Sequence, residues 1–123
     1  MPNHILLVED SRTQALRFQL ELLRYGLSIE IASSGTRGLA AARASRPDAI
    51  VLDVDLPELD GYSVCRTLKA DPSTAGIPVI MLTHRDQAHE ALAGLELGAI
   101  DYIPKDAFAE HNLVQALHQL GMI

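Results

Sequence analysis

The sequence predicts an α/β fold with a single doubly wound, five-stranded parallel sheet flanked by five helices. Short apolar runs rich in β-branched residues alternate with longer segments of helical period, which is the pattern of βαβ units. The chain has 123 residues, of which 48% are hydrophobic, and it contains no linker, repeat or low-complexity run. We therefore expect one domain over residues 1–123.

Five segments are predicted to be strands because each is short, apolar and bounded by polar or turn-forming residues. They are His4–Val8, Ser28–Ala32, Ala49–Asp53, Pro78–Leu82 and Asp101–Ile103. Strands of a parallel sheet are buried on both faces, so the unbroken apolar run that ends at Asp53 suits a central strand. The order expected for a sheet of this kind is 2-1-3-4-5.

Helices are predicted between these strands from apolar residues three or four positions apart. The residues that mark them are Leu16, Leu20 and Leu23 in the first helix, Leu39 and Arg43 in an Ala-rich second, Val64 and Leu68 in the third, Ala88, Leu92 and Leu95 in the fourth, and Leu113, Leu117 and Leu120 in the fifth. We expect each apolar stripe to cover the sheet, and Gly26 and Gly98 to end the first and fourth helices.

Composition excludes several classes of function. The net charge of −6 argues against broad nucleic-acid binding by this domain, because such binding depends on basic side chains. No apolar run approaches the roughly 20 residues of a membrane span, and no signal segment opens the chain, so we expect a cytoplasmic protein. Cys65 is the one cysteine, which rules out an internal disulfide, and we assign it no chemistry.

Polar residues follow the predicted strands at one edge of the sheet. Glu9 and Asp10 follow the first strand, Asp53 ends the third, Thr83 follows the fourth and Lys105 comes shortly after the fifth. In the expected order the first and third strands are neighbours, so the three carboxylates would lie close together and repel each other. Mg²⁺ would relieve that repulsion. The ammonium and hydroxyl across from the acids also suit an incoming phosphoryl group, which suggests an aspartyl phosphate.

Each of these residues also has a simpler interpretation. Asp10 and Asp60 could cap the first and third helices, Thr83 could be an ordinary residue at a strand end, and Lys105 could be a solvated side chain. Their joint placement at the ends of four strands favours the functional interpretation.

Four separated segments resemble the receiver domains of two-component response regulators. The segments are ILLVEDS (Ile5–Ser11), IVLDVDLPELDGYSVCRTLK (Ile50–Lys69), VIMLTH (Val79–His84) and GAIDYIPK (Gly98–Lys105). The resemblance covers the chain from about Asn3 to its end. It implies the flavodoxin-like, CheY-like form of the fold described above.

The resemblance also implies a chemistry for the acidic edge. It identifies Asp53 as the phospho-acceptor, which takes a phosphoryl group from the phosphohistidine of a sensor histidine kinase or phosphotransfer protein. Mg²⁺ is implied as the cofactor, bound directly by Asp10 and Asp53, by the backbone carbonyl of Asp55, and by Glu9 through water. Lys105 is implied to pair with the phosphoryl group, and Asp55 together with Arg85 to tune its lifetime. No enzymatic activity is implied beyond self-phosphorylation and autodephosphorylation.

A switch is implied by the same resemblance. Thr83 matches the hydroxyl that turns toward the phosphoryl group, and Tyr102 matches the aromatic residue that swings inward with it. Leu56-Pro57 and Asp60-Gly61 match the loop that follows the acceptor. Phosphorylation is then expected to change the surface formed by the fourth helix, fifth strand and fifth helix. That surface would control an output domain or target protein, or form a homodimer.

Two positions depart from the family pattern. The family commonly has proline directly after the lysine, joined by a cis peptide, whereas Pro104 precedes Lys105 here and Asp106 follows it. A cis bond before a non-proline residue costs ~3–4 kcal/mol, so we expect either a trans bond with a displaced Lys105 or a strained loop. His84 stands where the family usually has a small residue, which predicts slow phosphotransfer.

Two other functions remain open at this stage. Asp53 and Asp55, two residues apart, resemble the nucleophile and acid pair of haloacid-dehalogenase-type phosphatases, although that interpretation leaves Glu9 and Asp10 unexplained. The chain could also be a binding module that has kept the receiver fold without phosphorylation.

Overall fold

In a computed structural model, which describes residues 3–84 and 95–123, five parallel strands form one sheet. The strands are β1 (His4–Val8), β2 (Ser28–Ala32), β3 (Ala49–Asp53), β4 (Val79–Thr83) and β5 (Asp101–Pro104). Their order is β2-β1-β3-β4-β5, so the predicted topology is confirmed. Val8 pairs with Leu52 across the β1–β3 ladder, which brings Glu9 level with Asp53.

Three strands have the predicted bounds, and the last two differ by one residue. β4 runs from Val79 to Thr83 rather than from Pro78 to Leu82. Pro78 accepts a bond from the Ile50 amide at 2.9 Å but has no N–H to donate, whereas the Thr83 carbonyl accepts from the Lys105 amide at 2.6 Å. The ladder between β4 and β5 therefore continues one residue further toward the acidic edge than predicted.

The structure describes four of the five predicted helices. They are α1 (Arg12–Leu23), α2 (Gly35–Ser45), α3 (Gly61–Ala70) and the C-terminal helix (Ala109–Gln119). Of the predicted fourth helix, Ala88 and Leu92 lie outside the described residues, as does Arg85. Gly26 and Gly98 both have positive φ angles, 77° and 102°, which fits the helix ends predicted at these two glycines. No described helix has the length and apolar character that a membrane span requires.

The central strands are buried because helices cover both faces of the sheet. On one face, side chains such as Leu7, Val51 and Leu82 pack with α1 and the C-terminal helix. On the other face, Leu52 and Met81 pack with α2 and α3. All five residues of β3 are buried, as predicted for the apolar run that ends at Asp53.

The predicted packing face of α1 is wrong. Leu16, Leu20 and Leu23 are 44%, 66% and 49% exposed, and the residues that α1 buries against the sheet are Ala15, Phe18 and Leu22. Residues 15, 18 and 22 also follow a helical period, one step around the helix from the leucine stripe. The buried stripe contains the aromatic ring of Phe18, and the leucine stripe faces away from the core.

Gly61 begins α3 in direct contact with the end of β3. A Cβ atom on Gly61 would overlap the carbonyl oxygen of Asp53 and the Cα of Val54, and its amide donates to the Val54 carbonyl at 2.9 Å. Glycine is therefore required here for close approach of two backbone segments. This contact fixes the start of α3 against the strand that presents Asp53.

We predict that Gly61→Ala lowers the free energy of unfolding by about 1–3 kcal/mol, because the added methyl group must displace backbone atoms of β3. Gly76→Ala is the matched control, since a Cβ there meets no atom within 4 Å. The control should change stability by less than about 1 kcal/mol. Chemical denaturation of both variants measures the difference, and equal effects would contradict the close contact at Gly61.

Candidate acidic site at the carboxyl edge of the sheet

Three carboxylates meet where β1 and β3 end. One oxygen from each of Glu9, Asp10 and Asp53 lies within 4.8 Å of the others. Glu9 and Asp53 are each 2% exposed, whereas Asp10 is exposed. The structure thus brings together the three acids that the sequence placed at this edge, with two of them buried and one on the solvent side.

Lys105 closes the site from the end of β5. Its Nζ lies 2.5 Å from Glu9 Oε2 and 3.1 Å from Asp53 Oδ2, and its side chain is 5% exposed. The amide of Lys105 donates to the Thr83 carbonyl, which places the lysine directly beyond the last pairing of β4 with β5. One ammonium therefore neutralises part of the charge of two buried carboxylates on different strands.

Glu9 has a strongly perturbed acidity. Burial raises the pKa of Glu9 to about 7, against the lowering effect of its hydrogen bond to Lys105, and the neighbouring Asp53 charge raises it further. The other carboxylate oxygen of Glu9, Oε1, accepts from the Ser11 amide at 3.1 Å. Proton uptake by Glu9 and charge neutralisation at this site are consequently linked near neutral pH.

Asp53 is oriented by the loop that follows β3. Its Oδ1 accepts from the Asp55 amide at 3.1 Å, while Oδ2 faces Lys105. Further along the loop, the Leu59 amide donates to the Pro57 carbonyl at 2.7 Å, and Glu58 between them has a positive φ of 66°. This left-handed conformation in a non-glycine residue, next to the acidic site, is the kind of local strain that often accompanies function.

Thr83 and Tyr102 lie on the two strands beyond β3. Thr83 is the last residue of β4 and is fully buried, and its backbone carbonyl binds the Lys105 amide. Tyr102 pairs with Met81 in the β4–β5 ladder and packs, partly buried, against the α3 side of the core. Thr83, which was predicted to follow β4, is therefore the last residue of that strand, two positions after Met81.

The loop after Lys105 shows how the lysine is placed when Asp106, rather than proline, follows it. All described peptide bonds are trans, yet Lys105 reaches both buried carboxylates, so the displacement expected with a trans bond is wrong. Asp106 does not take the charge of the lysine: its Oδ1 accepts from the Phe108 amide at 2.8 Å. His84 is exposed.

Two local contacts, the cap of α1 and the turn at Asp106, were not predicted from the sequence. The cap of α1 is Ser11, whose hydroxyl accepts from the Gln14 amide at 3.3 Å, so the alternative that Asp10 caps this helix is wrong. Asp60 does cap α3, through the Ser63 amide at 2.9 Å. The turn made by Asp106 was also missed, although an Asp commonly forms such a turn by binding the backbone amide two residues further on.

The residues present fit a hard divalent cation. Glu9, Asp10 and Asp53 offer carboxylate oxygens, and their spacing of at most 4.8 Å is short enough for the three acids to share one ion, directly or through water. Two of the acids are buried, so their charge must be compensated by more than water. Lys105 supplies one positive charge, and a divalent cation would supply the remainder.

We predict that, in a chelator, the native chain loses stability relative to Glu9→Gln as the pH rises from about 5 to about 8. The folded chain keeps a proton on Glu9 up to about pH 7, whereas the unfolded chain releases it near 4.5, so the folded state binds more protons in this window. The total loss should be about 1–3 kcal/mol. Denaturant titrations of both proteins at each pH measure it, and a difference that does not vary with pH would contradict the raised pKa.

Comparisons with known proteins give one family. A model of the response regulator receiver domain matches residues 5–118. The chain is 41% identical over 120 residues to the response regulator MprA of Mycolicibacterium vanbaalenii, an alignment that covers 98% of this chain and 51% of that protein. The chain thus spans about half the length of the curated relatives it matches.

Solved structures with the same fold include two receiver proteins. The chemotaxis response regulator CheY4 of Vibrio cholerae superposes with a TM-score of 0.89 at 25% identity, covering 98% of this chain and 99% of that one. The receiver domain of a sensor histidine kinase of Pseudomonas aeruginosa superposes with a TM-score of 0.87 at 30% identity, covering 97% of each chain. The latter structure has a magnesium ion coordinated in its active-site cleft.

Proposed function

Because the chain belongs to the response regulator receiver domain family, we propose that Asp53 accepts a phosphoryl group from a phosphohistidine in a Mg²⁺-dependent reaction. The observation that carries this proposal is the placement of Asp53. It ends a fully buried strand, lies 3.1 Å from the Lys105 ammonium and shares a cluster with Glu9 and Asp10. We propose residues 1–123 as one receiver domain that regulates rather than turning over a separate substrate.

The chemistry of the step follows from the position of each group. An oxygen of the Asp53 carboxylate forms a bond to phosphorus as the P–N bond of the phosphohistidine breaks, and the imidazole nitrogen keeps the electron pair and takes up a proton. The end of β3 is rigid and buried, so the attacking oxygen has little freedom to move away. Lys105, already beside Asp53 Oδ2, is placed to neutralise a phosphoryl oxygen.

The metal would be held by Asp10 and Asp53, by Glu9 through water and by the backbone carbonyl of Asp55. When bound, Mg²⁺ supplies positive charge that stabilises the phosphoryl oxygens during transfer. The acids contribute by holding that charge next to Asp53, and Asp10 does so from the exposed side of the cluster.

A protein phosphodonor has an apolar surface to contact next to this site. The leucine stripe of α1 is exposed, and Leu16 borders the same hollow as Glu9 and Asp10. Exposed apolar faces of this kind mark protein interaction sites. The stripe therefore supports a histidine kinase or phosphotransfer protein as the donor.

The output of phosphorylation would involve the strands beyond Asp53. Thr83 is buried, and its backbone carbonyl accepts a hydrogen bond from the Lys105 amide at the site. Tyr102 lies on the adjacent strand, β5. We propose that both residues move together when Asp53 is phosphorylated and so change the surface of the predicted fourth helix, β5 and the C-terminal helix. Leu95 and Ile100 are exposed on the chain leading into β5, which supports contact there with an output domain, a target protein or a second copy.

We predict that incubation with acetyl phosphate and Mg²⁺ adds about 80 Da to the intact mass, the mass of one phosphoryl group. Asp53→Asn and a chelator should each abolish the gain. Asp48→Asn is the matched control, because Asp48 lies just before the other end of β3 and should leave the gain unchanged. Mass spectrometry of the four samples makes the measurement.

Absence of any gain in the native chain would contradict the proposal and favour the phosphorylation-independent binding module. Steady release of phosphate from a monoester would instead favour the phosphatase alternative.

His84→Ala tests the prediction that phosphotransfer is slow. Removal of the imidazole ring should raise the rate at which the mass of the protein increases. Leu16→Ser tests whether the exposed leucine stripe contacts the phosphodonor. With a histidine kinase that phosphorylates the native chain, this variant should be phosphorylated more slowly. Its reaction with acetyl phosphate should be unchanged.

A further inference from the structure

The loop between β5 and the C-terminal helix is organised around Asp106. Its carboxylate Oδ1 accepts from the Phe108 amide at 2.8 Å, its own amide donates to the Pro104 carbonyl at 3.0 Å, and its carbonyl accepts from the Ala109 amide at 3.2 Å. Asp106 is exposed, so these bonds shape the backbone without burying the side chain. Three bonds from one residue thus define the path of the chain just after Lys105.

This turn precedes a helix that lacks an ordinary side-chain cap. Ser11, Ser34 and Asp60 cap the three preceding described helices with side-chain oxygens, whereas the residue at the same position of the C-terminal helix, Phe108, makes no such bond. The Asp106 carboxylate, two residues earlier, is the group that satisfies the Phe108 amide. Side-chain-to-backbone bonds of this type hold a turn in place of regular structure.

We propose that Asp106 is a positioning residue that keeps Lys105 at the acidic site. The Lys105 amide is bound to the Thr83 carbonyl on one side, and the Asp106 turn fixes the chain on the other. A lysine side chain has four rotatable bonds, so a fixed backbone lowers the entropy that Lys105 loses when its Nζ pairs with Glu9 and Asp53. The part of this inference that concerns transfer to Asp53 rests on the proposed function.

The effect works through the turn rather than through the charge of Asp106. Within the described residues, the ion pairs of Lys105 are with Glu9 and Asp53 and not with Asp106. Asp106→Asn keeps an Oδ1 acceptor for the Phe108 amide and removes the charge, whereas Asp106→Ala removes both. The two variants therefore separate a turn from an electrostatic role.

The chain offers a direct probe of the lysine, because Lys69 and Lys105 are its two lysines. Brief treatment of the folded protein with a limiting amine-reactive ester, followed by mass analysis of peptides, gives the labelling rate of each. Lys69 is an internal reference, since its Nζ donates to the Ala75 and Ile77 carbonyls away from the acidic site. Asp48→Ala is the matched control: it removes another side-chain-to-backbone bond of an exposed aspartate, in which Asp48 Oδ2 accepts from the His4 amide at 2.7 Å.

We expect Asp106→Ala to raise the labelling of Lys105 relative to Lys69 by about threefold to tenfold, the effect of losing one hydrogen bond that holds the loop. Phosphorylation by acetyl phosphate should slow by a similar factor. Asp106→Asn and Asp48→Ala should stay within about twofold of the native chain in both measurements. Asp106 is exposed, so its variants should fold, and circular dichroism verifies this.

The inference is overturned if Asp106→Ala labels at the native rate, or if Asp106→Asn is as reactive as Asp106→Ala. Because labelling does not depend on phosphorylation, a native chain that takes up no phosphoryl group but shows the expected labelling pattern would sink the proposed function alone. Phosphorylation of Asp106→Ala at the native rate would contradict the positioning role alone.

Discussion

The mutual repulsion of three carboxylates at one edge of the sheet is the constraint on which the rest of the site depends. Glu9 and Asp53 are buried where two neighbouring strands end. Asp10 lies beside them and is exposed to solvent. Burial removes the water that would otherwise screen these charges. The Lys105 ammonium, within 3.1 Å of both buried acids, is the compensating charge supplied by the chain itself.

That compensation links distant parts of the chain. Lys105 follows β5, the acids follow or end β1 and β3, and the Lys105 amide is bound to Thr83 at the end of β4. Asp53 is therefore connected through Lys105 to the ends of β1, β4 and β5. The proposed signalling through Thr83 and the β5 edge would require such a connection, because a group added at one strand end must alter a surface formed by others.

The strands and their order could be predicted because burial on both faces leaves unbroken apolar runs, and the motifs at four strand ends agree with one topology. The packing face of α1 could not, because Leu16, Leu20 and Leu23 and the stripe containing Phe18 are equally periodic. Periodicity alone does not decide which of two neighbouring stripes packs against the sheet. Lys105 was predicted at this edge, but the sequence did not show that it reaches both buried carboxylates with a trans peptide bond after it.

The most direct test of the central claim is the Mg²⁺ dependence of stability in Lys105→Met. If Lys105 and a divalent cation neutralise the same carboxylates, this variant should be about 2–4 kcal/mol less stable than the native chain in a chelator. Added Mg²⁺ should then stabilise it more than it stabilises the native chain. Lys69→Met, which removes the other lysine, should show no such extra response. A Lys105→Met protein that is as stable as the native chain in a chelator, or that gains no more from Mg²⁺, would contradict the claim.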